Sequence, residues 1–130
     1  MSNNRLEEIY GRVIDSYSRA KSIADGSLID VSEMAREAGF MLPVAMTRAV
    51  WSEYIVPSDE DMKLGQSVEG RLWDTLSVMF ASARCCSRSE MSFSVVFVID
   101  GNSPLKKLKA IIGPGDKFEP VLTVMMPEEE

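Results

Sequence analysis

Apolar positions along this chain keep a helical period first and a strand period later. From Asn4 to Ala24, Leu6, Ile9, Tyr10, Val13, Tyr17 and Ala20 recur at three- and four-residue steps, which predicts a helix with one buried stripe. Asp25-Gly26 ends it, because Gly26 suits the left-handed position just past a helix. Leu28-Ile29 reads as a very short strand or an extended linker. Asp30 reads as an N-cap, with Glu33 three residues on closing a capping box, for a short helix through Ala38 that Gly39 stops. Pro43 fits the first position of a third helix through Ala45, Met46, Ala49, Val50 and Trp51 to about Tyr54. Pro57 and Ser58-Asp59-Glu60-Asp61 read as an exposed loop. The longest helix opens at Gln66 or Ser67 and ends near Cys85 or Cys86, with the stripe Leu72, Leu76, Met79, Phe80 and Ala83. Gly70 within it marks a weak spot or a close approach to a neighbouring element.

From Met91 to Ile99 the period falls to two: Phe93, Val95, Phe97 and Ile99 alternate with Ser92, Ser94, Val96 and Val98. Val96 and Val98 on the second face imply that both faces are at least partly buried. Asp100-Gly101-Asn102 is turn chemistry, Leu105 to Ile112 a second strand, Gly113-Pro114-Gly115-Asp116 a second turn, and Val121 to Met126 a third strand. The predicted fold is α+β, about four helices packed on a C-terminal three-stranded antiparallel β-meander. It is read as a single domain over 1–130, helical from about 4 to 86, sheet from about 91 to 126, and an acidic tail at 127–130. No internal repeat is present.

Composition narrows the chemistry. An apolar fraction of 45 % with 26 % charged residues in 130 residues is globular, and a chain of this size buries roughly two-thirds of its unfolded surface. There is no histidine, which removes Ser-His-Asp triads, Cys-His pairs and imidazole metal ligands. Fourteen basic against twenty acidic residues give a net charge of −6, so direct nucleic-acid binding is not expected, nor is attraction to an anionic membrane. The same charge favours basic partners. The longest apolar stretch, Val95 to Ile99, is far below the roughly 20 residues of a spanning helix. Met1-Ser2-Asn3-Asn4-Arg5 lacks the apolar segment of a secretory signal, so a cytoplasmic location is expected. Cys85 and Cys86 are adjacent, which disfavours a mutual disulfide and reads as two reduced core or boundary thiols.

Three constellations invite chemistry. Gly113-Pro114-Gly115-Asp116 lacks the following helix and the Lys-Ser/Thr pair of a phosphate loop, and reads as a hairpin. Asp59, Glu60 and Asp61 lack the glycine and glutamate spacing of a calcium loop, and read as solvated acids. Trp51, Tyr54 and Trp73 suit either an interface or a core, with the core favoured. No catalytic residue, cofactor or metal site is predicted.

Several stretches recur together in a known order: Ile23-Ala24-Asp25-Gly26 with Leu28-Ile29-Asp30-Val31; Ala35-Arg36-Glu37-Ala38-Gly39-Phe40; Pro43-Val44-Ala45 leading to Val50-Trp51; Gly70-Arg71-Leu72-Trp73-Asp74; Gly113-Pro114-Gly115-Asp116; and Glu119-Pro120-Val121 running to Met126-Pro127-Glu128. From about Val13 to Glu129 the chain resembles a family of uncharacterised small proteins encoded on plasmids, integrative elements and phages. That resemblance carries no catalytic residues; it implies company among transfer and anti-defence genes. The expected function is a non-enzymatic acidic protein that inhibits a host defence complex, of the anti-CRISPR type, by stoichiometric binding to a basic, nucleic-acid-handling partner such as CRISPR-Cas. The candidate contact residues are Asp59, Glu60, Asp61, Trp51, Tyr54, Glu128, Glu129 and Glu130. Alternatives are a homodimeric regulatory or structural protein using its sheet edge or the Trp51 surface, and a small carboxylate-based enzyme or ligand-binding domain. The chain is expected to be a monomer or homodimer.

Overall fold

Pro43 does not begin a helix. The computed structural model describes residues 18–129, and there Val44–Thr47 is a β-strand. In chain order the elements are α1 (Arg19–Asp25), β1 (Leu28–Asp30), α2 (Ser32–Ala38), β2 (Val44–Thr47), α3 (Arg48–Val50) continuing into a π-helical turn (Trp51–Ile55), α4 (Asp59–Lys63), α5 (Val68–Ala83), β3 (Glu90–Val96), β4 (Leu105–Pro114) and β5 (Pro120–Met125). Among the described residues the fold is α+β, with five helices and one five-stranded mixed sheet in the order β1-β2-β5-β4-β3. Residues 4–17 of the predicted first helix lie outside the described residues.

The C-terminal strands form the expected antiparallel meander, but β5 also pairs parallel to β2, with Val44 opposite Leu122 and Met46 opposite Val124. β1 then pairs antiparallel to β2. Val44, Ala45 and Met46 are all fully buried. A strand covered on both faces reads as an unbroken apolar run, which periodicity cannot separate from a buried helix. A proline fits the start of either element. Here the Pro43 carbonyl accepts from Leu122 N–H at 2.9 Å.

The helices sort by their caps. Ser18 accepts from Lys21 N–H, and Gly26 closes α1 at φ +87°. Asp30 is not the N-cap of α2: Val31 is, and Asp30, two residues ahead of the helix, accepts through its carboxylate from Ser32 N–H and hydroxyl. Gly39 ends α2 at φ +124°, where a β-carbon would stand 2.6–2.9 Å from the Phe80 ring. That glycine lets α2 and α5 close together, and Phe80 meets Phe40 edge to face at 5.2 Å. Ser58-Asp59-Glu60-Asp61 is not a loop; Ser58 caps α4 through Asp61 N–H. Gly70 marks no neighbouring element, since its N–H donates to the α5 cap Ser67 and Ser67 Oγ is what a β-carbon would meet.

Leu72, Leu76 and Met79 of α5 join Val44, Met46, Phe93, Val95, Leu108, Leu122 and Val124 in one apolar cluster on the helical side of the sheet. The predicted alternation of β3 holds for Phe93 and Val95, but Val96 is 52 % exposed, so that part of the second face is open. β4 runs two residues further than expected, Gly113 and Pro114 pairing with Val121 and Pro120, and the turn moves to 115–119.

Candidate functional site

Three of the acids expected on one exposed loop are separated by their helix. In α4, Asp59 and Glu60 face solvent, whereas Asp61 is 1 % exposed. Its carboxylate meets the Arg71 guanidinium of α5 at 3.3 Å, and Arg71 is itself 5 % exposed. Asp61 also accepts from Asp100 N–H, at 3.1 and 3.3 Å to its two oxygens. Arg71 spends three further donors on the carbonyl of Tyr54 at 2.9 Å, the carbonyl of Val98, and Gln66 Oε1 at 3.4 Å.

One buried ion pair thus joins four segments: the end of the π-helical turn, α4, α5 and the β3–β4 hairpin. The local reasons differ. Tyr54 lies at a helix end, where a carbonyl has no partner inside its own helix. Asp100 and Gly101 both take positive φ, which fits a tight hairpin whose strands rejoin at Ile99 and Asn102. Thr75, one turn after Arg71, is fully buried and bonds back to the Arg71 carbonyl. Both charges are matched and hydrogen-bonded, so the pair acts as a joint rather than as an acid or base. Sequence reasoning missed Arg71. Its signal was a charged residue on the border of the α5 stripe, directly before Leu72 and four residues before Thr75.

Above this joint lies a cleft of about 310 Å³, lined by Glu53, Ser58, Asp61, Arg71, Ile99 and Asp100 among others. Tyr54 stands beside it, its ring stacked on Phe97 with centroids 5.0 Å apart. Burial, then the nearby charges of Glu53 and Glu128, push the Tyr54 phenol above its ordinary range. Trp51 is half-buried against the core. Trp73, read as a core residue, is 42 % exposed.

The C-terminal acids also part company. Glu128 is exposed and reaches Tyr54 electrostatically. Glu129 is tied down: its Oε1 accepts from Thr47 Oγ1 at 2.8 Å and Met126 N–H at 2.7 Å, while its carbonyl accepts from Lys109 Nζ at 2.5 Å. Glu130 lies outside the described residues. The structure therefore places Trp51 and Tyr54 on one helical turn, brings Glu128 near Tyr54 together with Glu53, and withdraws Asp61 and Glu129 into the fold. Among the described residues, Glu53, Asp59, Glu60 and Glu128 have no cationic side chain in ion-pair range. Cys85 is exposed and Cys86 half-buried, so these thiols belong to the surface and boundary. Among the described residues, no group of three or more Cys, Asp or Glu is placed to hold a metal ion, and no helix is long and apolar enough to cross a membrane.

Comparison with curated proteins and with solved structures finds no match. The family described as DUF6573, of unknown function, matches residues 4–130, and the chain belongs to it.

Proposed function

We propose that this protein is a non-enzymatic, acidic protein-binding protein that acts stoichiometrically on a partner with a basic, nucleic-acid-handling surface. The observation that carries this reading is a set of exposed acids, Glu53, Asp59, Glu60 and Glu128, that have no cationic partner among the described residues, two of them, Glu53 and Glu128, near enough to Tyr54 to bear on its phenol. Asp59 and Glu60 add negative charge from the first turn of α4, close to the same cleft. An acidic rim beside half-buried Tyr54 and Trp51 has the composition of an interface: charge to steer and orient, aromatic surface to desolvate. The resemblance to accessory proteins of plasmids, integrative elements and phages supports a mobile-element role, with inhibition of a defence complex of the CRISPR-Cas kind as the specific form.

The test is capture by the tagged chain from its host cell at low and moderate salt, with mass spectrometry of the bound proteins. A basic, nucleic-acid-handling complex should be retained at low salt and lost as salt rises. Charge reversal at Glu53, Asp59, Glu60 and Glu128 together should weaken capture and flatten its salt dependence. If the reversed variant captures the same complex with the same salt response, this face is not the contact surface.

A further inference from the structure

The two edges of the sheet are built differently. β1 is three residues long, ends in exposed Asp30, and has α1 packed beside it. β3 is seven residues long, pairs with β4 at every position from Glu90 to Val96, and among the described residues has no strand on its other side. Two bonds that extend this ladder fix its phase: Ile112 N–H donates to the Ser89 carbonyl at 2.7 Å, and Phe97 N–H to the Pro104 carbonyl at 3.1 Å. Odd-numbered residues therefore bond to β4, and the main-chain N–H and C=O groups of Glu90, Ser92, Ser94 and Val96 point out of the sheet. All four residues are exposed, and among the described residues those N–H groups have no partner. Exposed edges are ordinarily blunted by lysine, proline or a bulge, and β3 has none of these.

We propose that β3 pairs antiparallel with β3 of a second copy of this chain, about a two-fold axis at Phe93, making one continuous ten-stranded sheet. In that register Glu90 faces Val96 of the partner subunit, and Ser92 faces Ser94 of the partner subunit. Every outward-facing residue then belongs to a hydrogen-bonded pair, roughly eight main-chain bonds in all. The one charge of the strand, Glu90, meets a neutral side chain and never its own copy. A slip of two residues either way strands Glu90 or Val96. A slip of one residue presents groups already bonded to β4. This pattern of phase and charge is self-complementary, which is why the occupant is a second copy. The axis stands perpendicular to the sheet, so both helical sides face the same way. There a cleft of about 620 Å³, lined by Ser82, Cys86, Arg88 and Met91 among others, borders the edge. Val78, one turn before Ser82 and 36 % exposed, lies on the same flank of α5.

Sedimentation equilibrium of the full chain over about 1–100 µM tests this. The wild type is expected at twice the 14.5 kDa chain mass. S92E/S94E sets glutamate against glutamate at both serine pairs and should weaken association at least tenfold. Within one chain the new glutamates face Lys109 and Lys107 of β4, so the fold itself is supported. S92E/S94K, changed at the same positions, sets glutamate against lysine twice across the axis and should keep or tighten the dimer. Circular dichroism confirms that both variants fold. A wild type monomeric at the highest concentration overturns the proposal and leaves the edge to an extended strand of another protein. A dimer indifferent to S92E/S94E, or lost equally in S92E/S94K, overturns it as well.

Discussion

The two sides of the sheet are closed by different physics. On the helical side, Val44, Met46, Leu122 and Val124 are packed under α2 and α5 in one cluster, and the buried charged side chains among the described residues, Asp61 and Arg71, are paired. On the opposite side Ala45, Val121 and Met125 are also buried, but the visible fastenings are polar and near the surface. The Arg19 guanidinium donates to Thr123 Oγ1 at 2.8 Å and to the Leu122 carbonyl at 3.0 Å. Asp116, from the β4–β5 turn, accepts from Arg19 and Ala20 N–H at 2.7 and 3.0 Å, holding the start of α1. Glu129 fastens the other end of the described chain onto Thr47 and Lys109. Dry packing and a desolvated ion pair are costly to breach. Carboxylate ties near the surface are individually weak and screened by water.

The contrast predicts unequal losses. Asp61→Ala leaves Arg71 buried without a counter-charge and should cost about 3–5 kcal/mol in urea unfolding. The double variant D61L/R71M, which removes both charges, should recover most of that loss. If it is as unstable as the single variant, the joint contributes through the four segments it ties rather than through charge balance. On the other side, Thr47→Val removes the hydroxyl's bond to Glu129 and its cap on Val50 N–H while Glu129 keeps Met126 N–H, and should cost about 2 kcal/mol. A loss matching that of Asp61→Ala would erase the distinction between the sides.

The smallest effect should appear only in the pH profile. The N–H groups of Ala20 and then Arg19 hold the Asp116 carboxyl below the usual carboxylate range. A depressed folded value means that its contribution is complete above the unfolded value, near about 4, and is lost as pH falls through the folded one. Asp116→Asn should therefore be less stable than wild type at neutral pH, and the gap should close in acid. Urea midpoints at about pH 7 and about pH 3 check this, and a gap of constant size would remove the carboxylate charge from the account.

Much of the architecture could be read from local pattern. The α5 stripe, Gly26 as a C-cap and the alternation of Phe93 with Val95 each reflect a period or dihedral demand contained within a few residues. The errors fall where the deciding partner is distant. Val44-Ala45-Met46 is apolar enough for either element, and becomes a strand because Leu122 and Val124 lie alongside it. Asp61 differs from Asp59 and Glu60 only in facing Arg71 and Asp100, neither near it in sequence. Glu129 leaves an acidic tail because Thr47 and Lys109 are within reach.

By itself the sequence determined the α+β class, the C-terminal meander, the net charge of −6 and the exclusion of histidine chemistry, since each depends on composition or short-range period. Only the tertiary structure decided which acids are surface and which are joints, and that among the described residues the sheet has five strands and an open long edge. Burial of a charge and pairing of a strand are properties of neighbours that meet in space, and no local pattern along the chain records them.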